Sequence, residues 1–403
     1  MAVLSRAAAS IERISTGEAF EALAGEWDDL VRAMPRPSPF MLHGWLAEWW
    51  RHYGQGAELA VVVARDDGRL VGALPLVVRR RAGLRVASFM GDRLAVLPDL
   101  LLSEDADESV SGRLTEWLAG GGCHVADFHG LPAESRIAAA LGPRLGVTER
   151  CEAPVLDLAA GWDEVYRAKT TSKKRNLHRR RRRQLGELGE LTVSVAREPD
   201  ELAFALEDAF WLHALRWEGR PDGSGFTTPI GMDFHRAALR RLAAGDVARI
   251  ITLRVDRRPI AFHYWFALAG CMYVHRLAFD PAVGRWSPGV VNTLDAIEAA
   301  AEEGMTRVEF LGGGERYKVE LADEFAPLYH GFGVASGLRG RAYAAAHIAE
   351  IRTRLALKRS PRLHRLYFDD LAPARRLAQR MRARSISHQP SSSDRTPRSP
   401  GTR

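Results

Sequence analysis

Cysteine is scarce in this chain. There are three in 403 residues (Cys123, Cys151 and Cys271), odd in number, far apart and set in apolar, strand-like surroundings. That pattern argues against a disulfide framework or a cysteine zinc site and points to a reducing, cytoplasmic setting. Long apolar runs are also missing: no stretch approaches the ~18–20 consecutive apolar residues a bilayer span needs. Met1 to Ser15 lacks the continuous apolar region of a secretion signal. No pair of His or Cys stands at metal-ligand spacing, so no metal is expected. No G-x-S-x-G turn is present, which disfavours a covalent serine mechanism. What is there suits a folded protein: 46% apolar and 27% charged residues, in a length that holds two domains of roughly 100–200 residues each.

The formal net charge of +7 is unevenly placed. Lys173 to Arg183 (KKRNLHRRRRR) and the stretch after residue 350 are strongly basic, so the remaining body is acidic. This is not the uniform charge of a nucleic-acid binder, and nucleic acid is not the expected partner. Like charges at i, i+4 (Arg175–Arg179, Arg179–Arg183) destabilise a bare helix. The run therefore calls for an anionic partner, or for neutralisation by the acidic body with Leu177 and Leu185 packed inward. From Ser385 the chain turns polar and rich in Ser and Pro, as a disordered tail does. Tyr343 to Lys358 has the pattern of a surface helix.

A repeat organises the body. Gly122 to Gly130 and Gly304 to Gly312 share G-x-x-x-x-[DE]-F-x-G. Each follows a helical stretch (Ser109 to Ala119; Val290 to Glu303) and reads as a buried strand. Upstream of each lies a strand pair around a short turn, Asp66-Asp67-Gly68-Arg69 in one half and Asp256-Arg257-Arg258-Pro259 in the other. Strands joined by short turns are antiparallel, whereas strand–helix–strand steps need parallel crossovers. The prediction is an α/β fold: a mixed sheet flanked by helices, built twice, with the join near Pro154 to Gly161.

In the second half, the strand Cys271 to Phe279 leads through Asp280-Pro281 to Gly284-Arg285-Trp286-Ser287-Pro288-Gly289 and a helix. Ser287 suits the N-cap, its hydroxyl accepting a backbone N–H, and Pro288 suits the first helical position. Gly284 and Gly289 allow close approach to the backbone. A helix N-terminus with free N–H groups is what a pyrophosphate needs, and Arg285 can add charge. The competing reading is an ordinary capped helix. The equivalent first-half loop, Gly91 to Asp99, lacks this cluster. His263 and Tyr264 alternate on the strand Ile260 to Phe266, so at most one lines a cleft, and His263 fits a core histidine equally. Arg216-Trp217 either clamps an acidic acceptor or closes its helix.

Together these segments resemble a duplicated GCN5-related N-acetyltransferase (GNAT) fold. More specifically they resemble the CelD-like proteins of cellulose and exopolysaccharide biosynthesis, distantly similar to the Fem peptidyltransferases. The resemblance rests on Pro39-Phe40 with Trp45 and Trp49, Gly68 to Leu76, the basic helix around Lys174 to Leu188, and Arg216-Trp217. It continues through Pro259 to Ala261, Phe279-Asp280-Pro281 with Ser287-Pro288-Gly289, and Glu309-Phe310-Leu311-Gly312-Gly313 with Glu315, Tyr317 and Lys318.

It implies two tandem acetyltransferase-like domains, residues 1–158 without a cofactor and 159–340 with an acyl-CoA cleft; composition and periodicity add helices over 341–384 and a disordered basic tail over 385–403. The implied reaction is acyl transfer from acetyl-CoA or another acyl-CoA to an amine on a small molecule or glycan. One alternative is aminoacyl-tRNA-dependent peptidyl transfer; another is a non-catalytic scaffold of a polysaccharide-synthesis complex. Such chemistry needs a free amine, an acid for the leaving thiolate and a donor for the carbonyl oxygen. Glu309 is the candidate base, with a structural cap as its rival, and Tyr317 the candidate acid, with an exposed helix start as its rival. Leu277, Phe279, Gly284, Arg285, Ser287 and Gly289 are the candidate cofactor contacts. Arg216, Trp217, His263 and Lys318 are the candidate substrate contacts.

Overall fold

Two tight hairpins set the sheets. In each, the two turn residues take left-handed backbone angles (Asp67 and Gly68; Asp256 and Arg257), the turn geometry whose twist matches that of paired strands. The computed structural model describes residues 9–217, 225–313 and 315–359. The chain runs β1 (Ser10–Ile14), α1 (Gly17–Glu21), α2 (Ala24–Arg32), α3 (His43–Tyr53), β2 (Ala57–Asp66), β3 (Arg69–Arg81), β4 (Leu84–Phe89), β5 (Leu101–Leu102), α4 (Ser109–Trp117), β6 (Val125–Leu131), α5 (Arg136–Leu141) and β7 (Leu145–Cys151). It continues with β8 (Pro154–Asp157), α6 (Trp162–Lys169), α7 (Ser172–Gly186), β9 (Leu191–Ala196), α8 (Pro199–Trp217), α9 (Pro229–Ala244), β10 (Ala248–Val255), β11 (Arg258–Leu268), β12 (Cys271–Phe279), α10 (Pro288–Glu302), β13 (Arg307–Glu309), α11 (Arg316–Leu321), β14 (Glu324–Phe325), β15 (Leu328–Gly333) and α12 (Gly337–Arg359).

The expected doubling appears as two mixed sheets flanked by helices. One is ordered β1-β2-β3-β4-β6-β15-β7, with β5 also on β3, and the other β14-β8-β13-β12-β11-β10-β9. The halves exchange strands: β8 inserts antiparallel between β13 and β14, and β15 inserts antiparallel between β6 and β7. A continuous apolar core joins them. Trp45 of α3 meets Phe234 of α9 edge-on at 4.8 Å and Phe266 of β11 at 5.6 Å. The chain forms two compact units, Met1–Arg341 and Ala342–Arg403. The described part of the second unit is helical, with Tyr343 stacked on His347 at 6.3 Å. The tail anticipated over 385–403 lies outside the described residues, as does the stretch 360–384.

Four histidines of the second half are held neutral by burial. Desolvation pushes His263 down to about 3 and His213 down to about 4, and holds His235 and His275 well below the ordinary imidazole value. Below pH ~6.5 the unfolded chain therefore takes up protons that the folded chain refuses. Stability is full above that pH and falls as pH drops, at about 1.4 kcal/mol per pH unit for each such histidine. Thermal unfolding at pH 7.5 and pH 5.5 should show a markedly lower Tm at the acidic value. An unchanged or higher Tm would contradict the burial of these rings as neutral groups.

Candidate active site

The site opens where β12 and β13 part. The two strands are parallel and paired only through Cys271–Arg307, Met272–Val308 and Tyr273–Glu309. Beyond that they separate. Val274 to Phe279 on one side and Phe310 to Gly312 on the other then line one cavity of about 670 Å³. A second cleft, of about 1040 Å³, lies between α7, the start of α10 and α11. Tyr317 lines both. Two non-glycine residues with left-handed backbones, Ser287 and Leu311, each line one of these spaces. Such strain is tolerated where a site fixes the chain.

The larger cleft is basic with an apolar floor. Thr171 caps α7, its hydroxyl accepting from the Lys174 N–H at 3.2 Å. The helix then presents Lys173, Lys174, Arg180 and Arg181 to the cleft, opposite Val290 and Leu294 of α10. The acidic body neutralises part of the charge run: Lys174 pairs with Glu320 at 2.6 Å, and Arg182 pairs with Asp295. Among the described residues, Lys173, Arg180 and Arg181 have no ion-pair partner. Leu185 is buried in the body, whereas Leu177 faces the cleft.

The smaller cavity collects Arg150, Arg216, Arg276 and Lys318 against a single carboxylate, Glu315. Lys318 is held by Glu315 at 3.0 Å. Arg216 lies over the ring of Phe279 at 4.9 Å. Trp217 and Lys318 line the same space, which brings three of the four predicted substrate residues together. The first half of the chain supplies the facing wall through Leu94 to Val96 and His129. Behind His129, Asp127 Oδ1 lies 2.7 Å from His330 Nε2 and 3.2 Å from His129 Nε2, with Arg81 at 3.3 Å. These three side chains converge as metal ligands can. Arg150, however, lies 3.4 Å from His129 Nδ1. A guanidinium only donates, so that nitrogen accepts and Nε2 carries the proton toward Asp127. The cluster is a hydrogen-bond network.

Several predicted residues sit elsewhere. His263 is not in either space: it is enclosed in the core with neither ring nitrogen partnered among the described residues, and Tyr264, with which it alternates, is enclosed too. Glu309 is fully buried and caps no helix. Its carboxylate takes two bonds from Arg36 (2.8 and 2.5 Å) and one from Arg307 (3.1 Å). Both oxygens are thus engaged with guanidinium groups, which leaves it badly placed to accept a proton from substrate.

In the loop before α10, only Ser287 reaches the basic cleft. It holds the N-cap position, but with its left-handed backbone its hydroxyl caps nothing. Asp280 does the local capping, accepting from the Ala282 N–H at 2.9 Å. Gly284 and Gly289 make room for a neighbour: a Cβ at either position would press on Phe279, at 3.3 and 2.9 Å. Arg285 folds over Trp286 at 3.8 Å. Leu277 and Phe279 line the smaller cavity. His213, His275 and Arg276, also on that cavity, escape a reading of periodicity. The available signal is a polar pair, His275-Arg276, inside an otherwise apolar strand.

Residues 172–319 match the acetyltransferase (GNAT) domain family. No curated protein matches the chain. Among solved structures, FemX superposes with a TM-score of 0.54 at 10% identity, covering 80% of this chain and 96% of that one. L-PGS from Bacillus licheniformis superposes at 0.52 with 13% identity, covering 83% and 96%. At such identities the likeness concerns the fold. The chain carries a GNAT-type acyltransferase domain at residues 172–319, set in a mixed α/β architecture of two sheets flanked by helices.

Proposed function

We propose that this protein transfers an acyl group, acetyl in the simplest case, from acyl-CoA in the basic cleft to an amine in the smaller cavity. The single observation that carries the reading is Tyr317, which lines both spaces with a buried hydroxyl that has no hydrogen-bond partner among the described residues. The cleft residues suit such a donor. Lys173, Arg180 and Arg181 can meet phosphates, and Leu177, Val290 and Leu294 can flank an uncharged arm. The donor contributes an activated thioester carbonyl, and the chain does the rest. Burial raises the Tyr317 phenol above its ordinary value, so it stays protonated at neutral pH and can hand a proton to the departing thiolate.

The amine needs no carboxylate base on this reading. A desolvated cavity rich in guanidinium disfavours a further positive charge, so the acceptor binds as the neutral nucleophile. As the C–N bond forms and the C–S bond breaks, the amine gives up one N–H proton through neutral His213 to solvent, Tyr317 gives its proton to the thiolate, and solvent reprotonates the phenol. The half up to residue 158 serves as a wall and holds no donor, and the acceptor is a small molecule or a sugar of a cell-envelope or exopolysaccharide precursor.

Thermal unfolding tests the donor. At about 100 times its dissociation constant, acetyl-CoA or a longer acyl-CoA should stabilise the fold by about 2.7 kcal/mol, and Arg180→Glu/Arg181→Glu should abolish the shift. No shift with any acyl-CoA or with free CoA overturns the reading. The length of α7 favours a second reading, because its arginines extend beyond the cleft as a polymer contact would. In that case the donor is an aminoacyl-tRNA, and binding of tRNA should weaken steeply with salt.

A further inference from the structure

We infer that the smaller cavity recognises its acceptor through an anionic group, a carboxylate or a phosphate, held by Arg276. The inference rests on the acyl-transfer reading for the word acceptor, but the anion site itself stands on the side chains. Arg276 projects from β12 into the cavity and is largely enclosed. Among the described residues no carboxylate lies within ion-pairing distance of it, and its Nε has no hydrogen-bond partner. Desolvation lowers its guanidinium below the ordinary value, with Tyr264 as the remaining influence.

The other long cations nearby are occupied. Lys318 pairs with Glu315, Arg150 points to His129, and Arg216 lies over Phe279. A buried guanidinium without a counter-ion costs stability, and folded chains place such costs where a ligand relieves them. Around it His213 and His275 are held neutral, so they add donors and acceptors without adding charge. The fork of Arg276 matches a carboxylate or phosphate with two parallel N–H bonds. An amine on the same molecule would then be held within the cavity that reaches Tyr317.

Calorimetric titration of the full chain, with no acyl donor present, tests this with three amines: glutamate, glucosamine 6-phosphate and glucosamine. One anionic probe should bind at least about tenfold more tightly than glucosamine, which carries no anionic group, and which one does so separates carboxylate from phosphate. Arg276→Met should lose that preference. It should also unfold at a higher temperature than the parent in the absence of ligand, because an uncompensated charge has left the interior. Arg276→Gln gives the same comparison should the methionine variant misfold. Arg180→Ala/Arg181→Ala, in the other cleft, should keep the preference.

Equal affinity for amines with and without an anionic group overturns the inference, as does a preference that survives Arg276→Met or Arg276→Gln. A chain that keeps an Arg276-dependent anion preference but gains no protection from any acyl-CoA retains the anion site and loses the acyl-CoA reading.

Discussion

Tyr317→Phe should lower kcat by about 100-fold while leaving KM for the acyl donor within about twofold. The hydroxyl is removed from the only side chain among the described residues that lines both spaces, and nothing else changes shape. Among the described residues this hydroxyl has no hydrogen-bond partner. Its loss therefore breaks no internal interaction, and an unpartnered buried hydroxyl already costs the fold about 1–3 kcal/mol. The variant should accordingly be at least as stable as the parent, with its aromatic contact to Phe310 (6.3 Å) retained. Its steady-state kinetics and Tm, measured side by side, separate a chemical role from a structural one. Unchanged kcat would remove Tyr317 from the reaction. A falling Tm with proportional loss of activity would make it a packing residue.

Tyr317 stood out only through the family resemblance, since its own surroundings in the sequence favoured an exposed helix start; the fold instead buries its hydroxyl. Arg216, Trp217 and Lys318 were left between a binding role and a structural one by the sequence, and the fold brings all three to one cavity. The hairpins were legible through their turn residues, and the strand–loop–helix step from β12 to α10 through Pro288 and the helical pattern after it. What failed is long-range. The Arg36–Glu309 pair joins residues 273 positions apart, and nothing local to Glu309 announces that its charge is taken. Gly284 and Gly289 read as room for a ligand, because a glycine shows that space is needed without showing for what. Here the occupant is Phe279. The strand exchange of β8 and β15 was hidden for a related reason: four- and six-residue strands carry no mark of which sheet completes them.

Breaking the Arg36–Glu309 pair should produce the largest loss of stability of any single change considered. Glu309 is wholly buried and Arg36 partly so, joined by two parallel bonds. The neighbouring Tyr273 hydroxyl donates to the Pro37 carbonyl at 2.5 Å, tying the same loop to the second sheet. Arg36→Met leaves Glu309 with Arg307 alone, and removing one partner of a buried pair costs about 3–5 kcal/mol. Glu309→Gln leaves Arg36 without a carboxylate, whereas Arg307 keeps Glu324 at 2.9 Å, and should also destabilise the fold.

The double variant Arg36→Met/Glu309→Gln should recover part of that loss, because neither charge is then left uncompensated, and the coupling should exceed about 1 kcal/mol. Urea midpoints with unchanged slopes would measure this as stability. The same proteins also decide what Glu309 does. If it is the base, Glu309→Gln abolishes turnover in protein that is still folded, and the double variant rescues nothing. If it is the clamp its contacts describe, activity per folded molecule survives in Glu309→Gln, and the double variant regains folded protein and turnover together.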